Sequence, residues 1–372
     1  MEMSHRQRAR AVLSGERPDR PVFDLGGRVA SLSIPPYLTL KAHLGFGEGL
    51  HGEQITILNT IGEFDERVLQ ALDIPFRRLY LRPAASFQMT VAEDGSFLDE
   101  WGVGRKAVGH YNERISYPLA GATMEELPHF AWLDPEDPSR FDGLADEARR
   151  MYEKTDYCLV AGHISAGIFQ DCWNLRGMEQ FLLDMIQSRE FAEALLDQVT
   201  DIHIGLWAGF LNEVGGYVDM VETADDLGGQ IGLLISPGMY RELIKPRHAM
   251  LHAAIRERTS AKILYHSCGA IMPLIDDLIE TGVQVLNPIQ PLPGRMDPEE
   301  LRKRYGGQLV FHGGLDVQDL LLNGSPADVI RHVMHYYAEL GVQGYIMAPA
   351  NTVQPGTPPE NLLAAYQAAG GQ

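Results

Sequence analysis

Cysteine is scarce in this sequence: Cys158, Cys172 and Cys268 are the only three in 372 residues. Three scattered thiols cannot build a disulfide framework, and their number suits a reducing compartment, so a cytoplasmic location is expected. No run of eighteen apolar residues occurs, and the opening M-E-M-S-H-R-Q-R-A-R is not followed by an apolar signal core. A membrane span and a cleaved leader are therefore not expected, and the chain reads as soluble and unprocessed. Basic residues are outnumbered, 31 Lys and Arg against 50 Asp and Glu, for a formal charge of −19. Such an excess repels a phosphate backbone over most of the surface and argues against nucleic acid as a partner. Also missing are a glycine-rich dinucleotide or P-loop fingerprint after an early strand, any internal repeat and any low-complexity tract.

What is present is an ordinary globular composition, 45% hydrophobic and 22% charged, with ample material for a core. Short apolar, β-rich runs recur at 21–25, 157–161, 217–221, 263–265, 283–286, 309–311 and 345–347. Continuous runs of this length suit strands covered on both faces, as in a parallel sheet. Helical stretches lie between them. Ser325-Pro-Ala-Asp328 and Thr357-Pro-Pro-Glu360 each combine an N-cap residue, proline at the first helical position and a carboxylate three residues after the cap. Residues 178–199 read as one long helix, Ser236-Pro opens another, and 271–280 is a short one. The alternation predicts a (β/α)8 TIM barrel over residues 1–372, one domain with an N-terminal extension; an open doubly wound sheet would alternate in the same way. Residues 79–117 differ, with alternating β-like residues and an Asp94-Gly95 turn, and are expected to form an antiparallel β insertion. The proline- and acid-rich stretch 125–142 reads as a surface connection.

In a parallel barrel the active site is built where strands end and loops begin. Reading off those positions gives Asp24 and Arg28, His163, Asp225 and Asp226 with Gln230, His266 and Cys268, Asn287 with Gln290, His312 with Asp316, and Asn351 with Gln354. His266 and Cys268 stand two apart on an extended segment, so imidazole and thiolate project to the same side and can converge on a borderline cation such as zinc. The same pattern also describes a buried histidine beside a structural cysteine. Asp225 and Asp226 offer a proton acceptor or a support for a metal ligand, or simply an Asx turn and a helix cap. His312 and His163 are candidates for acid, base or ligand, against a structural, hydrogen-bonded role. Arg28, after two glycines, is suited to clamp a carboxylate or phosphate, or to a surface salt bridge. Phe169, Trp173 and Met178 could wall an apolar pocket or belong to the core, and Cys158 and Cys172 read as structural.

Together, Met3 to Arg20, Asp225-Asp226-Leu-Gly-Gly-Gln230, the helix leading to Ile244-Lys-Pro, His266-Ser-Cys-Gly, Leu286-Asn-Pro-Ile-Gln290, Gly313-Gly-Leu-Asp316 and Ala348-Pro through Thr357-Pro-Pro-Glu-Asn361 resemble the uroporphyrinogen decarboxylase superfamily, in order and over nearly the whole chain. The resemblance implies the (β/α)8 barrel. The superfamily's true decarboxylases carry an arginine-rich R-Q-A-G-R loop near the N-terminus, where this chain has Asp24-Leu-Gly-Gly-Arg28 and keeps one arginine. Its corrinoid-linked methyltransferases hold zinc with an H-x-C pair, matched here by His266 and Cys268, and with a later cysteine. Where that cysteine would stand, this chain has Asn351, a poor zinc ligand, so Asp226, His163, His312, water or substrate must complete the shell.

The resemblance thus implies a zinc-assisted methyltransferase acting on a small methylated molecule or on a thiol or folate acceptor, with a corrinoid carried by a partner protein. In it His266 and Cys268 hold the metal, Asp225, Asp226 and His312 serve the chemistry, and Arg28, His163, Gln230, Asn287, Gln290 and Asn351 meet the substrate. The alternatives are a metal-independent decarboxylase or lyase of a small carboxylate, and a ligand-binding barrel without catalysis.

Overall fold

The computed structural model describes residues 2–51, 53–292 and 295–368. Eight strands, β1 (Val22–Phe23), β2 (Phe76–Leu79), β3 (Cys158–Ala161), β4 (Met220–Ala224), β5 (Lys262–His266), β6 (Val285–Ile289), β7 (Val310–Leu315) and β8 (Tyr345–Pro349), form one all-parallel sheet. Each pairs with its sequence neighbours from β2 to β8, and β8 turns back to pair with β1. Helices run between successive strands on the outside, among them Leu144–Lys154, Arg189–Val214, Lys245–Arg256 and Pro326–Leu340. Strands β3, β6, β7 and β8 are buried at every position, the signature of a sheet covered on both faces. The arrangement is a (β/α)8 barrel.

Between β1 and β2 the ladder gives way to side chains. Arg78 of β2 donates to both carboxylate oxygens of Asp24, just past β1, and also to Glu222 of β4. All three are almost fully buried, so the ion pair bridges the seam from inside. Arg78 passes over Gly27, where an added Cβ would lie 2.3 Å from its Nε. Gly27 also has φ +67°, a conformation open to glycine at little cost, so Gly26-Gly27 is what lets Arg78 through.

Strand β2 is absent from the apolar runs of the sequence because Phe-Arg-Arg-Leu hides two arginines in a buried strand. Several expected boundaries also move. The fourth strand is Met220–Ala224 rather than 217–221, and the long helix breaks at Ser188 into Met178–Gln187 and Arg189–Val214. The capping box at Ser325 and Asp328 forms as expected.

The segment between β2 and helix Leu144–Lys154 contains an antiparallel sheet of Phe97–Leu98, Gly104–Val108 and Tyr111–Ser116, with Asp94-Gly95 in the preceding turn. It follows the C-terminal end of β2 and leans over that end of the barrel: Tyr111 Oη donates to Gln354 Oε1 at 3.0 Å in the loop after β8. At the other end, the N-terminal helix His5–Leu13 reaches Asp73 and Asp156, ahead of β2 and β3, through His5. No helix among the described residues is long and apolar enough to cross a membrane.

Candidate metal centre

Strands β4 and β5 run side by side in register, His266 opposite Ala224. The residues just beyond their ends are therefore brought together. Asp226, His266 and Cys268 each offer one ligand atom, and the three atoms lie within 4.8 Å of one another. Cys268 Sγ is 3.4 Å from His266 Nε2, and Asp226 Oδ1 is 3.8 Å from the same nitrogen. Asp226 Oδ1 also accepts the Cys268 backbone N–H at 2.9 Å, which sets the sulfur's loop. Gln290 Oε1 holds the next residue, accepting from Gly269 N at 2.8 Å. All three ligand residues are partly open to solvent.

A buried chain of hydrogen bonds fixes the imidazole. His266 Nδ1 donates to Asn287 Oδ1, and Asn287 Nδ2 donates to His312 Nδ1 at 2.6 Å. His312 Nε2 is then the protonated nitrogen and donates to Asp24 Oδ2 at 3.0 Å, and Asp24 is gripped by Arg78. Burial alone would raise the Asp24 pKa, but Arg78 and His312 outweigh it and hold this carboxyl well below the usual range. The anion at one end thus sets the tautomer at the other: the proton stays on His266 Nδ1, and the Nε2 lone pair faces Asp226 and Cys268. Such outer partners are what orient a metal-binding histidine.

The donor set suits a cation. Nitrogen, sulfur and carboxylate oxygen from three side chains, with a side open to solvent, match the ligand chemistry of a catalytic zinc site. Burial, with the Asp226 carboxylate adding to it, pushes the Cys268 thiol well above its ordinary range; a bound cation reverses that balance and holds the thiolate. Asn351 stands beside the sulfur, its Nδ2 donating to Cys268 Sγ at 3.4 Å, while its Oδ1 accepts from Thr352 N. Its amide therefore turns a donor, not a lone pair, toward the centre.

The adjacent acids part company. Asp225 is fully buried, and its carboxylate accepts from Phe169 N at 2.6 Å, Gln170 N at 2.7 Å and His248 Nε2 at 3.0 Å. It caps helix Ile168–Arg176 across the barrel wall. At Gly167, which precedes that helix with φ +127°, a Cβ would lie 2.2 Å from Ala224 O. Asp225 therefore lies in the barrel wall as a helix cap, apart from Asp226, His266 and Cys268. His312 is likewise fully buried behind Asn287 and acts on the centre by positioning, as Asn287 does from its other side. Both side chains are fully buried.

Gln230 is exposed at the tip of the small hairpin Gly228–Gly229/Gly232–Leu233 and joins none of these groups. Asp316 caps the turn after β7 through Gln318 N and Asp319 N. Cys158 and Cys172 are buried thiols in the core, where Phe169 and Trp173 also pack, while Met178 is exposed. His163 follows β3, which pairs with β4, and Arg28 follows β1. His163 has both ring nitrogens buried without a partner, and burial followed by the nearby positive charge of Arg28 pulls its pKa well down. A separate hollow of about 550 Å³, walled by apolar residues such as Leu182, Ile186, Leu234 and Met239, has no titratable side chain in its lining and offers no chemistry.

The residues that escaped the sequence reading are Arg78, Glu222 and His248. Arg78 left one signal, an arginine inside a segment otherwise fit for a strand.

Two proteins of Methanosarcina mazei are similar to this chain. A methylated-thiol–coenzyme M methyltransferase is 28% identical over 264 residues, which are 68% of this chain and 64% of that relative. The chain thus spans less than two thirds of the relative's length. A solved methyltransferase structure covers 99% of this chain and 98% of its own, with a TM-score of 0.66 at 18% identity, and so shares the fold. The model of the family described as uroporphyrinogen decarboxylase matches residues 120–371. That match takes in strands β3 to β8 and both loops of the candidate centre, and the chain belongs to the uroporphyrinogen decarboxylase family.

Proposed function

We propose that this chain is a zinc-dependent methyltransferase whose metal is held by Asp226, His266 and Cys268 and whose substrate is a small thiol or methylated thiol. The observation that carries the reading is the convergence of oxygen, nitrogen and sulfur donors within 4.8 Å at the ends of two adjacent strands. Zinc bound there supplies Lewis acidity, stabilising a thiolate at neutral pH or polarising the bond to a methyl-bearing heteroatom. The chain's own residues do the rest. Asn287, His312 and Asp24 keep the His266 lone pair aimed outward. Asp226 fixes the Cys268 loop through the same Oδ1 that lies nearest His266, and Asn351 donates to the sulfur, tempering its charge.

The relative named for methylated thiols and coenzyme M favours sulfur chemistry over decarboxylation. With Asn351 in the place of a second cysteine, one thiolate fewer surrounds the metal than in the corrinoid-linked pattern. Asp226 takes the third position in this reading. A corrinoid on a partner protein would supply or receive the methyl group in this reading.

Metal analysis tests this. The purified protein should hold about one zinc per chain, and His266→Ala or Cys268→Ser should empty it and abolish methyl transfer between methylcobalamin and a small thiol. Chelator-insensitive release of carbon dioxide from a small acid, with no metal bound, would replace this reading with a decarboxylase.

A further inference from the structure

The insertion that leans over the mouth of the barrel carries positive charge that the protein does not neutralise. In the insertion, Arg105 and Arg114 are direct partners across two antiparallel strands. Directly opposed residues project to the same face, where like charges repel. Asp99 answers one of them, accepting from Arg105 Nε at 2.7 Å. Arg105 is itself 7% exposed, and its Nη1 is buried with no acceptor. Arg114, half-buried, has no side-chain hydrogen bond or ion pair among the described residues.

Arg28, entering from the loop after β1, completes the group. It too has no hydrogen bond or ion pair among the described residues, and its electrostatic neighbours are Tyr80, Asp171, Arg105 and Asp99. Its side chain is open to solvent, and the protein packed around it pulls its guanidinium below the ordinary arginine range. Asp171, the other carboxylate nearby, is already engaged by Ser165, Asn174 and His203. Glu113 follows the strand alternation to the opposite, exposed face. Three guanidiniums against two carboxylates leave a local positive excess inside a chain whose net charge is −19.

We propose that Arg28, Arg105 and Arg114 form a receptor for one oxyanion of the substrate, a carboxylate, phosphate or sulfonate. Guanidinium forks bind such groups through paired, charge-assisted hydrogen bonds, and an oxyanion between Arg105 and Arg114 turns their repulsion into shared attraction. His163 stands between the receptor and the centre, feeling both Arg28 and His266. Both of its ring nitrogens are buried without a partner among the described residues. The substrate is then a short anionic thiol or methylated thiol, with sulfur toward Asp226, His266 and Cys268 and its acid among the arginines. The sulfur end of this assignment rests on the function proposed above; the anion end does not.

Calorimetric titration of the zinc-loaded protein separates the two. In the native chain, 3-mercaptopropionate and 2-mercaptoethanesulfonate should bind about tenfold or more tighter than neutral 2-mercaptoethanol. Arg28→Gln with Arg114→Gln should erase that difference with bound zinc and 2-mercaptoethanol affinity unchanged, while Glu113→Gln should leave it intact. Arg114→Lys, which keeps charge but loses the fork, should fall between. Equal binding of anionic and neutral thiols by the native chain, or a preference that survives the double substitution, overturns the receptor. Propionate, which has no sulfur, reports on the receptor alone. Its binding should survive Cys268→Ser and disappear in the double arginine variant, even if the metal reading fails.

Discussion

On one side of the barrel mouth, the hydrogen-bonding nitrogens and oxygens of the side chains from His266 back through Asn287, His312 and Asp24 to Arg78 have partners. On the other, His163, Arg114 and Arg28 have none among the described residues, and Arg105 is only half satisfied. Both sides are polar and both are walled by the same barrel, so the difference is not one of burial alone. A buried polar atom without a partner costs about 1–3 kcal/mol. The chain from His266 to Arg78 leaves one such atom unanswered, Glu222 Oε2 at its far end, whereas both ring nitrogens of His163 and Nη1 of Arg105 are unanswered toward the insertion, which divides the mouth into a fixed part and a receiving part. The fixed part is nearly complete in itself, whereas the receiving part is the one that the proposed anion would complete.

The comparison breaks most visibly where the fixed part is cut between its ends. Asn287→Ala leaves all three ligand residues in place but frees the His266 ring and its tautomer. Metal affinity should fall about 10- to 100-fold, measured by competition with a chromophoric chelator; an unchanged affinity would mean that the buried chain does not orient the ligand.

A smaller effect probes a buried histidine that is satisfied yet neutral. His252, on the buried face of helix Lys245–Arg256, lies near Thr223 Oγ1 of β4 at 3.4 Å and Thr281 Oγ1 at 3.1 Å. Burial, followed by the charges of His248 and Arg256, lowers its pKa from 6.5 to about 3. The unfolded chain therefore binds a proton here that the folded chain refuses, and stability is lost as the pH falls below 6.5 toward 3. The slope is about 1.4 kcal/mol per pH unit for this group. Urea unfolding at pH 7 and pH 5.5 should show a smaller acid loss in His252→Gln than in the native chain.

The receiving part should respond least in stability. Arg28→Gln and Arg114→Gln remove charges that no carboxylate holds, so the unfolding free energy should stay within about 0.5 kcal/mol of native or rise slightly. A large loss in a thermal melt would show that these arginines hold the fold together and would erase the contrast between the two parts.

The sequence was most legible where the pattern is local. Seven of the eight strands stand out as apolar runs, and the cap at Ser325 is set by a four-residue motif. The H-x-C pair was legible too, because a period of two puts both side chains on one side. What stayed hidden depends on contacts made across the fold. Strand β2 is disguised by Arg77 and Arg78, whose burial makes sense only once Glu66 and the seam carboxylates are in place. Asp225 and Asp226 are indistinguishable as neighbours in sequence; a helix N-terminus claims one and the Cys268 loop the other. The nearness of Arg105 to Arg28 joins an insertion to the first loop of the barrel, and no periodicity announces it.

Zinc-edge X-ray absorption on the purified protein bears most directly on the central claim. The account predicts a first shell with one sulfur, one imidazole nitrogen and the remainder oxygen, and loss of the sulfur contribution in Cys268→Ser. A stoichiometric metal with no sulfur in its shell, or with two, would contradict it.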